Sequence, residues 1–387
     1  MAHVLVAGVS TRAAAESAAR AGFAVTAIDA FGDVDQHPSV RGISLADNFS
    51  ARAAAVAART IDCDAVVYLS SFENHPRAIA TLAQGRALWG NAPEIVRRVR
   101  DPLILAETLR RRGLSSPEVR LKPDTTYVND SYVVSGFSRT VNRWLVKPLA
   151  SGGGHRIRAW DHTTILQRLP RGSYLQEFID GPSGSVVFVA AGGRALPIGI
   201  SEQLVGEAAF GAEGFQYCGN ILAAGSALIE GASALAQAVV EEFGLVGVNG
   251  IDFIARDGIP CAIEVNPRWC ASMELVERAY GLSVFAAHAT ACTSGLLPAV
   301  DLQQKSLGRG AVGKAVVYAR RDVTVGDTRT WLTKHENIRD IPQPGVRISS
   351  GRPVCTILAD APDGTTCHEA LVESAGRVYA QLEAWCA

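Results

Sequence analysis

The chain has 387 residues, of which 48% are apolar and 19% charged, with a formal net charge of −1. That balance suits a globular protein large enough for two or three domains. It supplies no basic or acidic footprint for nucleic acid or a membrane surface. Eight cysteines without a CxxC pair argue against a zinc ribbon or a disulfide framework, and no apolar run reaches the length of a membrane span. The N-terminus lacks the pattern of a signal peptide, so a cytoplasmic protein is expected.

In chain order, "HVLVAGVS" reads as a buried strand ending in a glycine turn. "TRAAAESAARAG" reads as an alanine-rich helix stopped by Gly22, and "FAVTAID" and "DAVVYL" as further strands. Strands alternating with helices predict a parallel α/β unit. Gly8 stands alone without GxGxxG spacing, which argues against a dinucleotide site. "APEIVRRVRDPLILAETLRRRG" predicts one helical stretch closed by Gly113. Next come a strand "RWLVKPL", a glycine-rich turn "ASGGGHRIRAW", and strands "SYLQEFIDG" and "SVVFVAAGG". An amphipathic helix "ASALAQAVVEEFG" precedes two strands around a turn, "GVNGIDFIARDGIPCAIEVNP". Beyond about Leu297 the chain is strand-rich and closes with a helix. "GRGAVGKA" at 308–315 imitates both GxGxxG and the P-loop. The β-branched residues after Gly313, and Ala315 where a metal-binding hydroxyl belongs, predict a connector into a strand instead.

Three stretches carry candidate chemistry. In "EVNPR", Glu264, Asn266 and Arg268 occupy alternate positions, so a strand turns them to one face. Asp252 lies across the turn. A two-residue loop at Asp257-Gly258 pairs Asp252 with Ile263, on the wrong face. An odd loop, which Gly258 can supply, pairs it with Glu264 and is the expected arrangement. Directly opposed carboxylates repel unless a cation lies between them, and carboxylate and amide oxygens suit Mg²⁺ or Mn²⁺. The plain alternative is an edge hairpin with solvated acids. Lys147 followed by Gly152, Gly153 and Gly154 could wrap a phosphate or be a flexible hairpin tip. "QEFIDG" at 176–181 could be a hinge reading an adenine edge or an ordinary strand end.

Together, and in this order, the stretches resemble the ATP-grasp superfamily. The resemblance implies an α/β (α+β) fold: a pre-ATP-grasp Rossmann-like domain at 1–93, an ATP-grasp domain of two α+β subdomains at 94–297, and a strand-rich C-terminal region at 298–387. It implies that Lys147 contacts the α/β phosphates of ATP and that Gly152, Gly153 and Gly154 close over the β/γ phosphates. Gln176, Glu177 and Ile179 would form the adenine hinge, Asp252, Glu264 and Asn266 would ligate Mg²⁺, and Arg268 would hold the transferring phosphate. Many members carry a "DK" pair where this chain has "VRDPLI", with Pro102 in place of Lys, so Arg100 is the candidate substitute. "GVSTRAAAESAARAG", "SSFENHP", "EVNPRWCASMELVE" and "DIPQPG" look most like the tyramine–glutamate ligase group of methanofuran-type cofactor biosynthesis. The implied activity is ATP-dependent joining of a carboxylate to an amine through an acyl phosphate. The alternatives are another ATP-grasp chemistry, of carboxylase or phosphotransferase type, or a non-catalytic nucleotide-binding protein. The expected partners are small-molecule carboxylate and amine substrates, with no nucleic acid and no membrane; a homo-oligomer is left open. The second substrate is expected near the N-terminal unit, at 8–12, 70–76 and 202–220.

Overall fold

The structure is a computed structural model that describes residues 1–121, 143–160, 169–223, 227–299, 310–334 and 336–386. It begins with a parallel sheet of β1 (His3–Ala7), β2 (Ala24–Asp29), β3 (Val40–Ser44), β4 (Ala65–Tyr68) and β5 (Ala87–Leu88), in the order β3-β2-β1-β4-β5. Helices α1 (Arg12–Arg20), α2 (Ala51–Ala57) and α3 (Pro76–Leu82) lie between its strands. Alanines let α1 lie close: Ala14, Ala15 and Ala18 are buried, and Gly22 takes a φ of +87° just past the helix end. A Cβ on Gly8 would lie 2.5 Å from Leu69 Cβ, so the glycine lets the ends of β1 and β4 approach. The strand order reverses between β1 and β4, and the segments that follow these two strands line one cavity at their carboxyl ends.

The single helix expected over 92–113 is two: α4 (Pro93–Val99) and α5 (Pro102–Arg111). Proline at 102 disfavours helical geometry at the residue before it, and Asp101 takes up the N-cap role, accepting from the N–H groups of Leu103 and Ile104. The break leaves Arg100 at the end of α4, free to turn away from the helix axis.

A small antiparallel sheet follows, built from β6 (Val119–Arg120), β7 (Trp144–Pro148), β8 (Arg158–Ala159) and β9 (Ser173–Glu177). The main sheet contains β10 (Ser183–Ala191), β11 (Arg194–Val205), β12 (Tyr217–Ala223), β13 (Gly247–Arg256), β14 (Ile259–Asn266) and β15 (Ala311–Tyr318), with α6 (Ile229–Phe243), α7 (Met273–Tyr280) and α8 (Val284–Ser294) interspersed. After β15 come β16 (Val323–Thr324), β17 (Ile338–Arg339), β18 (Arg347–Ile348) and β19 (Pro353–Ala361), before the closing helix Gly364–Cys386. The main sheet runs β14-β13-β10-β11-β12-β15-β19-β17, so strands from beyond residue 298 extend the same sheet. One face of α6 packs on it through Leu235, Val239 and Phe243. The P-loop imitation lies in part outside the described residues; its second half is β15, a strand as the β-branched run predicts. The seven cysteines whose side chains are described are free thiols, and among the described residues no helix is long and apolar enough to cross a membrane.

The registers place a polar row across one face of this sheet. Glu264 lies opposite Asp252, Asp252 opposite Ser185, Gln203 opposite Asn220, and Asn220 opposite Lys314. All six side chains line one cavity. Five strand spacings separate β14 from β15, so the row is roughly 24 Å long.

Candidate active site

The β13–β14 hairpin reaches the expected pairing by another route. Its loop is the two-residue Asp257-Gly258, with φ of 51° and 77°. Near the tip the pairs are Arg256–Ile259 and Phe253–Ala262, the register that an even loop dictates. Between Phe253 and Asp252 the register shifts by one, and Ile263 is the extra residue. This β-bulge, and not an odd loop, brings Asp252 opposite Glu264. Asn266 follows on the same face and donates from Nδ2 to Asp252 Oδ2 at 2.9 Å, while Gln203 Nε2 donates to Asp252 Oδ1 at 2.8 Å.

The strand stops at Asn266, so Arg268 is not held by strand alternation as the sequence pattern alone would have it. The Pro267 carbonyl accepts from Tyr68 Oη at 3.0 Å and Asn91 Nδ2 at 3.1 Å, which fixes the turn. Arg268 then donates from Nη2 to Asn266 Oδ1 at 3.2 Å and to Glu73 Oε1 at 2.7 Å. Glu73 comes from the segment after β4. Its other oxygen, Oε2, is buried without a hydrogen-bond partner, and so is Arg268 Nε. Nothing in the sequence pattern marked Glu73 as the partner of Arg268, although 70–76 was an expected substrate-lining stretch.

Arg100 joins several parts of the site. Its Nη1 pairs with Glu264 and donates to the Val265 carbonyl at 3.2 Å. Its Nη2 donates to Asn74 Oδ1 and to the Ser151 carbonyl, both at 3.2 Å. One guanidinium thus ties the hairpin, the N-terminal unit and the glycine-rich turn together.

Lys147 lies on β7 opposite Tyr174, buried, with Nζ 6.0 Å from the centre of the Tyr174 ring. Leu145 and Lys147 share one face of β7 and line the cavity with Gln176. The turn after Lys147 leans over the opening. Tyr217 N–H donates to the Gly153 carbonyl at 3.1 Å, and a Cβ on Gly154 would lie 1.7 Å from the Phe215 carbonyl, so only glycine fits. Gly152, Gly153 and Gly154 all line the cavity. Ile179 is a buried apolar wall of it. The Glu177 carboxylate is already engaged, accepting from Arg256 Nη2 at 2.7 Å and from the Glu118 N–H at 3.0 Å.

The cavity encloses about 790 Å³. Its electrostatics differ between the two carboxylates. Burial, reinforced by the charge of Glu264, pushes the Asp252 carboxyl up to about 6. Burial opposes ionisation of Glu264 as well, but the charges of Arg100, Lys147 and Arg268 outweigh it and hold that carboxyl below its ordinary range. Two carboxylates and an amide side chain facing each other form a hard-oxygen donor set that fits Mg²⁺ or Mn²⁺. Among the described residues there is no group of three or more His, Cys, Asp or Glu that could hold a metal, so the amide of Asn266 would be essential to such a site.

The segments after β1 and β4 also line the cavity, through Val9, Ser10 and Arg12 and through Ser70, Ser71 and Glu73. Gln203, Phe215, Tyr217 and Asn220 line it from the 202–220 stretch. Lys314, Val316, Asp340 and Thr356 line it from the C-terminal region, which the sequence did not mark as substrate-lining, although Asp340 opens the "DIPQPG" stretch.

Residues 99–272 match the ATP-grasp domain family. Over 382 residues it is 22% identical to an uncharacterized protein of Methanocaldococcus jannaschii, covering 92% of this chain and 87% of that protein. It superposes on an L-amino acid ligase from Bacillus licheniformis with a TM-score of 0.69 at 16% identity, covering 96% of each chain. It superposes on the biotin carboxylase domain of Hydrogenobacter thermophilus 2-oxoglutarate carboxylase with a TM-score of 0.66 at 15% identity, covering 95% of this chain and 88% of that one. That domain was solved in complex with MgADP and bicarbonate. At these identities the likeness to the solved structures is one of fold.

Proposed function

We propose that the protein is an ATP-dependent carboxylate–amine ligase. The observation that carries the reading is the bulge at Ile263, which opposes Asp252 to Glu264 in the same cavity as Lys147, Arg268 and the glycine-rich turn. Structural neighbours that include an amino acid ligase support it.

In this reading the γ-phosphoryl group of ATP passes to a substrate carboxylate, giving ADP and an acyl phosphate. An amine then attacks the acyl carbon, the C–O bond to phosphate breaks, and an amide, inorganic phosphate and a proton are released. Asp252, Glu264 and Asn266 would hold Mg²⁺, which when bound neutralises charge on the phosphate oxygens. Lys147 adds a buried positive charge along the triphosphate. Arg268, held by Glu73, Asn266 and the Trp269 carbonyl, fixes a positive charge at the cavity wall, and turning its planar fork to the transferring group would place its contribution in the transition state more than in nucleotide binding. The glycine-rich turn, held by Arg100 and Tyr217, covers the opening and keeps water from the acyl phosphate.

Amine-stimulated ADP release is the test. Glutamate with tyrosine or tyramine is the first pair to assay, since the local sequence resembles that ligase group, which would place the protein in methanofuran-type cofactor biosynthesis. Arg268→Lys should lower kcat by about a hundredfold or more while leaving ATP affinity nearly unchanged, because it keeps the charge and removes the bidentate geometry. ADP release that responds to bicarbonate and to no amine would instead favour a carboxylase-type reaction.

A further inference from the structure

The cavity has a second charged end, at β15, which the phosphoryl-transfer chemistry does not use. It is built on Arg12, whose side chain is fully buried. Arg12 donates from Nε to Asp340 Oδ1 at 2.8 Å and from Nη2 to Glu274 Oε1 at 2.6 Å. Glu274 accepts from Lys314 Nζ at 2.5 Å through its other oxygen. The result is a run of alternating charge, Lys314–Glu274–Arg12–Asp340, drawn from β15, α7, α1 and the turn after β17, with Glu16 at 3.1 Å and Asp35 at 3.5 Å as further carboxylates on Arg12.

Both ends of this run are open, and both line the cavity. Lys314 makes one hydrogen bond with an ammonium that carries three donors. Asp340 uses Oδ1 for Arg12, whereas no described residue donates to its Oδ2, and its side chain is 23% exposed. Thr356, 4% exposed, also lines this end, and its hydroxyl makes no hydrogen bond among the described residues.

The same end receives the N-terminus of α1. Thr11 stands at the N-cap, but its hydroxyl donates to Asp29 Oδ2 at 2.6 Å and makes no cap. The first amides of α1 therefore lack the usual side-chain acceptor, and Arg12, Ala13 and Ala14 line the cavity. Uncapped amides at a helix N-terminus favour a carboxylate. One end of the cavity thus offers an anion receptor, the α1 amides with Lys314, beside a cation receptor, Asp340 Oδ2.

We propose that this end binds the α-amino and α-carboxylate groups of an amino acid, the carboxylate on the α1 amides and Lys314 and the ammonium on Asp340. A zwitterion closes the open charge chain with opposite charge at both ends. A simple amine leaves Lys314 and the α1 amides unmatched, and a simple acid leaves Asp340 unmatched. The inference rests on the ligase reading only for what happens next, namely that this amino acid is one of the two molecules joined.

The test is binding to the full chain without nucleotide, by calorimetry, with each of the common L-amino acids as probe. At least one should bind, and its methyl ester and its N-acetyl derivative should each bind about tenfold or more weakly, the loss expected for one charge-assisted contact. Asp340→Asn should weaken the amino acid by a similar factor while ATP affinity stays the same. A purely structural Asp340 would instead lower the melting temperature and leave the amino acid affinity unchanged. Should Asp340→Asn fail to fold, the ester and N-acetyl comparisons on the wild type decide alone. No binding by any amino acid at millimolar concentration overturns the proposal, as does an ester that binds as well as its parent. ADP release then separates the two ideas. An amino acid that binds but supports no ADP release with any partner refutes the ligase and leaves the subsite. Amine-stimulated ADP release from substrates without an amino acid head group does the reverse.

Discussion

The two ends of the cavity arrange buried charge in different ways. At the hairpin end, Asp252 faces Glu264 directly, and the Asp252 carboxyl is pushed up to about 6 by burial and by its neighbour. At the β15 end, charges alternate. Burial alone would raise the Glu274 carboxyl, yet Arg12 and Lys314 hold it below the ordinary range, and Asp340 is held down in the same way. At the hairpin end two carboxylates are held face to face by a bulge in the sheet, with Arg100, Lys147 and Arg268 around them. At the β15 end Arg12 serves Glu274, Asp340, Glu16 and Asp35, with Lys314 on the far side of Glu274. Opposed carboxylates suit a cation-dependent reaction centre, because the charge missing between them arrives with the ligand. Carboxylates shared around one buried arginine suit a recognition site that must stay folded when empty.

The largest effect should come from removing charge at the hairpin end. Glu264→Gln should cut ATP-dependent ADP release by about a thousandfold or more while leaving the fold intact, which circular dichroism would verify. Substantial turnover in that variant would contradict the assignment of the hairpin end as the reaction centre.

The β15 end should respond through stability. Arg12→Met removes the cation that joins Glu274 to Asp340 and leaves buried carboxylates unpaired, so unfolding free energy should fall by about 3–5 kcal/mol in urea titrations. A change of under about 1 kcal/mol would mean that the ion chain is no more than a surface pairing.

The smallest effect is one of pH, and it sharpens the contrast. Because Glu274 and Asp340 are held below the ordinary range, the β15 end should stay intact in mild acid, its stabilisation being lost only below roughly pH 4. His288 behaves differently. It is buried against β13, accepts from the Val248 N–H at 3.0 Å, and burial lowers it to about 4. A group whose folded pKa is depressed below its unfolded value of ~6.5 contributes fully above that value when its neutral form is the buried one, and loses that contribution as pH falls. Stability should therefore decline by up to about 3 kcal/mol between pH 6.5 and 4, and His288→Gln should flatten this slope. An unchanged slope in that variant would move the acid-sensitive step to one of the two charged ends.

The sequence by itself determined the local devices. Alternating strands and helices announced the α/β unit, and the spacing of Glu264, Asn266 and Arg268 marked a polar edge on an apolar strand. Lys147 and the glycines after it stood out because charge and backbone freedom are read directly from residue type. These signals are local, and they carried the fold class. Tertiary structure decided what those residues meet. Sequence arithmetic tied the pairing of Asp252 with Glu264 to loop length, but the loop is even and the bulge at Ile263 makes the pairing. A bulge is chosen by the packing of a whole sheet, not by its own residue type. Arg100 became a hub only because Asp101 and Pro102 break the helix behind it. Arg12, Lys314 and Asp340 lie far apart in the chain; Arg12 fell in the expected lining stretch 8–12 and Asp340 in "DIPQPG", but neither stretch said what its charge would meet. They meet because β15 joins the same sheet as the hairpin and the start of α1 and the turn after β17 reach the same cavity, and long-range pairings of that kind leave no local pattern to read.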